Sequence, residues 1–266
     1  TKHIQELEAA YQTRLFDRQG SRISLTEAGK LLLEHCERIL EDYKRLEYEM
    51  HLLHNEYTGG LKLGASTTVA QYVLPPLLAS FIGKFPHVNL SLLNGNSREI
   101  EAALQEHRID LGFVEGVFRL PNIKYTTFLK DELVAVVRTG SKLAIGEEIT
   151  PEELLHLPLV LRERGSGTLD VFERALQQHN IKLSSLQVLM YLGSTESIKL
   201  FLEHTDCLGI VSIRSITREL YSGQLRVVEI KDMPMLRDFS FAQPQGQESG
   251  LAQVFMQFAM HYNNKL

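Results

Sequence analysis

Residues 61–68 read Leu-Lys-Leu-Gly-Ala-Ser-Thr-Thr, an apolar alternation that stops at three hydroxyl side chains. Leu61–Ala65 has the period of a strand, and the stretch from about Tyr72 to Lys84 has the period of a helix. The figure recurs downstream. Val88–Leu93 leads through Asn94-Gly95-Asn96-Ser97-Arg98 into a helical stretch at Ser97–His107, and Ile109–Val114 runs into Glu115-Gly116. Leu133–Val137 reads as a fully buried strand. Leu159-Val160-Leu161 then leads through Arg162-Glu163-Arg164-Gly165-Ser166-Gly167-Thr168 to a helix at Leu169–His179. Gln187–Leu192 leads through Gly193-Ser194-Thr195-Glu196-Ser197 to one at Ser197–His204, and Leu208–Ser212 is apolar again. Strands alternating with helices of about ten residues predict α/β layers with parallel strands. There are two such sets, divided near Thr139-Gly140-Ser141, so two lobes are expected: residues 59–138 with 240–266, and residues 139–239. An amphipathic helix, Leu251–Tyr262, closes the chain.

Upstream the texture differs. Ile4, Leu7, Glu8 and Tyr11 are spaced as on a helix, with no N-cap before them, so the chain is expected to begin inside a helix. Arg14–Arg18 and Ile23–Leu25, either side of Gln19-Gly20-Ser21-Arg22, predict a small hairpin. Thr26 is the N-cap candidate for a long helix. Along it Leu32, Cys36, Ile39, Tyr43, Leu46, Met50, Leu53 and Tyr57 alternate in steps of four and three, an a/d stripe among mostly charged residues. So narrow a seam favours a partner helix over a broad core face, which makes this a dimerisation helix, residues 27–58. Thr58-Gly59-Gly60 should end it and act as a hinge.

Composition narrows the class. The 266 residues carry 44% hydrophobic and 23% charged side chains, suited to two or three compact units. No run approaches the roughly 18 consecutive apolar residues of a membrane span, and the amphipathic start Thr1–Tyr11 is no secretory signal. Cys36 and Cys207 cannot frame a disulfide fold, and two buried thiols in a reducing compartment are expected. The net charge of −5 is unevenly spread. Residues 1–30 hold five basic against four acidic side chains, a balance of +1, which leaves −6 on the rest.

Ligands of parallel α/β sheets sit beyond the carboxyl ends of strands, where helix N-termini point. Here those places carry Ser66, Thr67 and Thr68, Ser97, Glu115, Ser166 and Thr168, and Ser194 and Thr195. Each hydroxyl alone reads as an N-cap; together they predict a ring of hydroxyls and free amides for a small polar, anionic ligand held without a metal. Gly165-Ser166-Gly167-Thr168 is the most specific piece, because its glycines let backbone approach a ligand closely. No nucleophile elbow, phosphate loop or His-Glu-x-x-His is present, and neither Ser66 nor Ser166 has a base at a recognisable spacing, so no enzyme is expected. His51 and His54 on the long helix read as a solvated face rather than a metal site.

Ile4-Gln5-Glu6-Leu7-Glu8, Arg14-Leu15-Phe16-Asp17-Arg18 and Leu25-Thr26-Glu27-Ala28-Gly29 together resemble the C-terminal half of a LysR-type winged helix-turn-helix. Everything after Gly60 resembles the two-lobed effector-binding domain of that family, related to type 2 periplasmic binding proteins. Gly64–Thr68, Val114-Glu115-Gly116, Arg162-Glu163 with Gly165–Thr168, and Gly193–Lys199 resemble its CysL-like branch, whose members govern sulfur or carbon assimilation, some sensing sulfite or related anions. The resemblance implies an α/β protein: a partial winged helix-turn-helix at residues 1–26, a dimerisation helix and the effector domain, the family's first helices lying before Thr1. It places Thr1, Lys2 and His3 in the recognition helix and Arg18 and Arg22 near phosphate or minor groove. Effector contact falls to the hydroxyls above and to Glu115, an awkward neighbour for an anion. The implied partners are promoter DNA, a small anionic effector, further copies in a homodimer or homotetramer, and RNA polymerase, in the cytoplasm and without a cofactor. Gln12 departs from the glycine usual after the recognition helix. The rival reading is a solute-binding protein of a transport system, which the cleft suits and the long helix does not.

Overall fold

The computed structural model describes residues 2–19, 22–53, 57–116, 119–143, 146–245 and 250–263, with the side chains of 18, 19, 22, 37, 41, 44, 45, 47–49, 51–53 and 263 outside that description. The chain forms two compact units, Thr1–Glu56 and Tyr57–Leu266.

The first unit consists of α1 (Lys2–Tyr11), the hairpin β1 (Phe16–Gln19) and β2 (Arg22–Leu25), and α2 (Glu27–Leu53). Its joints are made by polar side chains. Glu8 Oε1 accepts from the Leu15 amide at 2.7 Å, tying the end of α1 to the hairpin. Thr26 caps α2 as expected: its Oγ1 accepts from the Gly29 amide at 3.0 Å and donates to the Arg14 carbonyl at 2.7 Å. A Cβ on Gly29 would stand 2.1 Å from the Leu15 carbonyl oxygen, so only glycine lets the helix lie this close to the hairpin. Gln12, just past α1, has φ +50°, the left-handed conformation that glycine adopts at lower cost.

The second unit runs β3 (Gly59–Ser66), α3 (Thr67–Tyr72), α4 (Leu74–Lys84), β4 (Val88–Gly95), α5 (Ser97–Gln105), β5 (Leu111–Glu115), β6 (Ile123–Arg138), β7 (Glu148–Ile149), β8 (Pro158–Arg162), α6 (Gly167–Gln178), β9 (Gln187–Leu192), α7 (Thr195–His204), β10 (Leu208–Ser212), α8 (Thr217–Tyr221), β11 (Leu225–Ile230), β12 (Met235–Pro244) and α9 (Leu251–Asn263). Ten strands join in one sheet along β4-β3-β5-β12-β6-β10-β8-β9, with β11 on β6 and β7 on β11. β3 pairs in parallel with β4 and β5, and β8 with β9 and β10, matching the two expected sets. Between the sets the parallel expectation fails. β6 and β12 run antiparallel to each other from Ile123↔Pro244 to Leu133↔Met235; β12 is also antiparallel to β5, and β6 to β10 and β11.

Three further expectations are corrected. Gly59 and Gly60 are not a hinge but the first residues of β3, paired with Val88 and Asn89. Leu133–Val137 is only the apolar end of the longer β6, whose earlier residues alternate with charge. Cys36 is exposed on α2; Cys207 alone is buried. Packing seals both faces of the sheet. Around α6 a core is formed by residues such as Leu159, Leu161, Phe172 and Leu176, and around α7 by Val160, Ile198 and Leu202. Against β3 and β5, α5 supplies Ile100, Ala103 and Leu104. On the opposite face an aromatic cluster joins Phe81, Phe85, Phe113, Phe241, Phe255 and Phe258, ring to ring at 4.6–6.1 Å.

Candidate functional site

The hydroxyls expected to converge do lie at the carboxyl ends of β3, β4, β8 and β9, and Ser66, Thr67, Thr68, Ser97, Ser166, Thr168 and Thr195 are all buried. Their bonds sort them. Ser166 and Ser194 are N-caps, accepting from the Leu169 and Ser197 amides, each at 3.1 Å. Asn96, not Ser97, caps α5, in a capping box with Glu99; Ser97 instead exchanges two bonds with the Glu115 backbone at 2.9 and 3.2 Å. Ser66 occupies the N-cap position of α3 yet makes no cap bond, and its buried Oγ has no hydrogen-bond partner.

Its neighbour in the chain, Thr67, meets a residue to which the sequence had assigned no role. Arg162, the last residue of β8, is 1% exposed. Its Nη2 donates to Thr67 Oγ1 at 3.4 Å and to the Gly193 carbonyl at 3.3 Å, linking β8 to α3 in the other half. Its Nε and Nη2 hold Glu163 at 2.8 and 3.1 Å, while Nη1 is shielded and has no partner. Thr67 in turn donates to the Gly95 carbonyl at 3.2 Å. The signal for Arg162 was present in the sequence: a cation closing the apolar strand Leu159-Val160-Leu161 must be paired or bound to something when buried.

The halves also meet at Glu115, which closes β5. Its Oε1 accepts from Thr68 at 3.2 Å and Thr168 at 3.4 Å, and its Oε2 lies 3.2 Å from Arg237 Nη2. Backbones touch here as well: a Cβ on Gly167 would stand 2.2 Å from the Glu115 carbonyl oxygen. Away from this contact, the Tyr72 hydroxyl of α3 donates to Glu196 of α7, which also accepts from Lys199 at 2.7 Å. Burial, with the Glu196 carboxylate behind it, pushes the Tyr72 phenol up and keeps it protonated. Burial works to raise the Glu196 carboxyl, but the bonds from Lys199 and Tyr72 outweigh it and hold it below its ordinary value. Among the described residues no three His, Cys, Asp or Glu side chains are grouped to hold a metal.

In the first unit Lys2 and His3 are exposed on α1, each facing Glu6 at 3.9 and 3.4 Å. Arg18 and Arg22 lie on β1 and β2, their side chains outside the described residues, as are Thr1 and the side chain of Leu53. Along α2 Leu32 is half-buried and Cys36 exposed, while Ile39, Tyr43, Leu46 and Met50 are 52–66% exposed, an apolar stripe open among the described residues. Tyr57 is not on that stripe. It belongs to the second unit and packs edge-on against Phe85 at 5.5 Å.

A winged hairpin between two helices, followed by a two-halved α/β domain with buried donors between its halves, defines a ligand-responsive DNA-binding regulator. Residues 1–30 match the family described as bacterial regulatory helix-turn-helix protein, lysR family, and residues 54–263 match the LysR substrate binding domain. The chain belongs to the LysR family of transcriptional regulators. It is 34% identical to the HTH-type transcriptional regulator YeiE of Escherichia coli strain K12 over 85% of this chain and 75% of that protein. To the regulator CysL of Bacillus subtilis strain 168 it is 26% identical, over 90% and 79%. The regulatory domain of CcmR from Synechocystis PCC6803, solved in complex with 2-PG, superposes with a TM-score of 0.70 at 27% identity, covering 79% of this chain and 99% of that one. The fold of the LysR family regulator CbnR superposes over 97% of this chain and 88% of that one, with a TM-score of 0.60 at 20% identity.

Proposed function

We propose that this regulator binds promoter DNA in the cytoplasm as a homo-oligomer and responds to a small anion held between Ser66, Thr67, Arg162, Ser194 and Thr195. The observation that carries the ligand reading is the pair of buried, unpartnered donors, Ser66 Oγ and Arg162 Nη1, on opposite halves of the domain. A buried donor without an acceptor costs about 1–3 kcal/mol, and more when charged, so the site gains from any oxyanion that satisfies both. The N-termini of α6 and α7, capped by Ser166 and Ser194, add partial positive charge. Because Arg162 also bonds Glu163, the site offers an incompletely neutralised cation, which suits a compact anion of low charge.

The same reading assigns residues 1–26 to DNA contact through Thr1, Lys2, His3, Arg18 and Arg22, of which Lys2 and His3 are exposed on α1, residues 27–58 to dimerisation, and residues 59–138 with 240–266 and 139–239 to the two lobes. The exposed α2 stripe supports self-association, and so do the apolar sheet edges, Leu92-Leu93 on β4 and Leu189–Tyr191 on β9. Ligand closure of the lobes would shift the placement of paired DNA-binding units, and with it contact to RNA polymerase. Fluorescence anisotropy with labelled upstream DNA at moderate salt, with and without sulfite or sulfate, tests this. Sequence-specific binding modulated by the anion is expected, and binding equal to that of scrambled DNA would refute it.

A further inference from the structure

We propose that Glu115, Arg237 and Asp131 form a charge brace between the two halves of the effector domain, so that Glu115 is a positioning residue for the cleft and not a ligand contact. The proposal rests on the cleft reading above. Arg237 of β12 and Asp131 of β6 are register partners on the two antiparallel strands that join the halves. Arg237 Nε donates to Asp131 Oδ2 at 2.7 Å, and Ser212 Oγ donates to Asp131 Oδ1 at 2.7 Å. The third member, Glu115, reaches Arg237 Nη2 at 3.2 Å. All three charged side chains are buried at the centre of the sheet.

One residue reads the position of the second half against this set. Thr168, in the first turn of α6, accepts from Arg237 Nη1 at 3.0 Å and donates to Glu115 Oε1 at 3.4 Å. Thr68, in the first turn of α3, donates to the same Glu115 oxygen from the first half. Both Glu115 oxygens thus face protein groups, and its charge is set against a guanidinium it shares with Asp131. The Thr168–Glu115 bond is the longest in the network, and Glu115 Oε2 and Arg237 Nη2, though shielded from solvent, complete no hydrogen bond. A buried ion pair short of alignment is incompletely compensated, so the brace depends on the Thr68 and Thr168 hydroxyls that hold the Glu115 carboxylate in place. Closure of the cleft over a ligand thereby relies on the brace staying intact.

Glu115→Gln keeps the shape and the acceptor for Thr68 and Thr168 but removes the charge; Thr168→Val keeps every charge and removes the hydroxyl that crosses the halves. In calorimetric titrations of the full chain with sulfate, sulfite and acetate, each variant should weaken every anion that binds by the same factor, about tenfold, because the closed population falls while the contacts remain. The double variant should cost no more than the worse single one, since both substitutions break one network. A changed ranking of sulfate against acetate in Glu115→Gln would make Glu115 a ligand contact and overturn the proposal. Hydrogen exchange without ligand supplies a separate readout, valid even where no anion binds the wild type. Amides 67–70 and 167–170 should exchange faster together in either variant while β8 and β10 stay unchanged; wild-type exchange at both sites would overturn the brace. Should Glu115→Gln fail to fold, Thr168→Val carries both measurements.

Discussion

Gly167→Ala places one methyl group between the halves of the effector domain, and its cost follows from the geometry. The new Cβ would lie 2.2 Å from the Glu115 carbonyl oxygen, 2.4 Å from its carbonyl carbon and 2.7 Å from its Cγ. Ordinary contact begins near 3.4 Å, so the start of α6 must retreat from the end of β5 by about 1.2 Å. The obstacle is backbone, which cannot rotate aside as a side chain can. Such a retreat stretches the Thr168–Glu115 bond, now 3.4 Å, out of hydrogen-bonding range. Overpacking typically costs about 1–3 kcal/mol, and losing a bond to a charged group adds about 1.5 kcal/mol. A total near 3 kcal/mol in a unit of this size lowers the melting temperature by about 6–12 °C. Gly83→Ala is the control. A Cβ there meets nothing within 4 Å on the exposed face of α4, so better helix propensity should raise the melting temperature by about 1–3 °C. Scanning calorimetry on both variants decides. A Gly167→Ala protein that melts within 1 °C of wild type would refute the close contact of β5 and α6.

Four further outcomes are expected. Gln12→Gly, at φ +50°, should stabilise the first unit by about 1 kcal/mol, seen as slower amide exchange at the end of α1; faster exchange would contradict the left-handed turn. At pH 8 a disulfide reagent should modify exposed Cys36 at once and Cys207 only on unfolding, because burial lifts the Cys207 thiol to about 11. The linked stability is present below pH 9, the ordinary value for this thiol, and is lost as pH rises toward 11, where ionisation favours the unfolded chain; Cys207→Ala should flatten that slope, and an unchanged slope would assign it elsewhere. Ile39→Glu with Leu46→Glu should drive the chain toward monomer in sedimentation velocity, since the α2 stripe exposes both side chains; an unchanged sedimentation coefficient would remove that stripe from self-association.

The parts of the fold legible from sequence were those with a local signature. Strands ending in hydroxyls announced β3, β8 and β9, because caps and turn residues act within three or four positions. β11 and β12 were not foreseen: their partners lie about 90 to 120 residues away, and Met-Leu-Arg-Asp-Phe-Ser carries no turn or cap signal. The same gap hid Arg237 and Asp131, whose pairing exists only through that long-range register. Glu115 was found and its awkwardness for an anion noticed, but its partner was invisible. Gly59-Gly60 was read as a hinge because glycine pairs mark breaks; pairing with β4 overrides that propensity.

The central claim is that an anion is held by Arg162 and the hydroxyls at the start of α3. Isothermal titration of the chain with sulfite and sulfate, in wild type and in Arg162→Gln, tests it most directly. One site per chain, with affinity reduced at least a hundredfold in an Arg162→Gln protein that still folds, is predicted, since a hydrogen bond to a charged group contributes up to about 3 kcal/mol. Heat of binding that survives undiminished in Arg162→Gln, or no binding of either anion or of small carboxylates to the wild type, would contradict it.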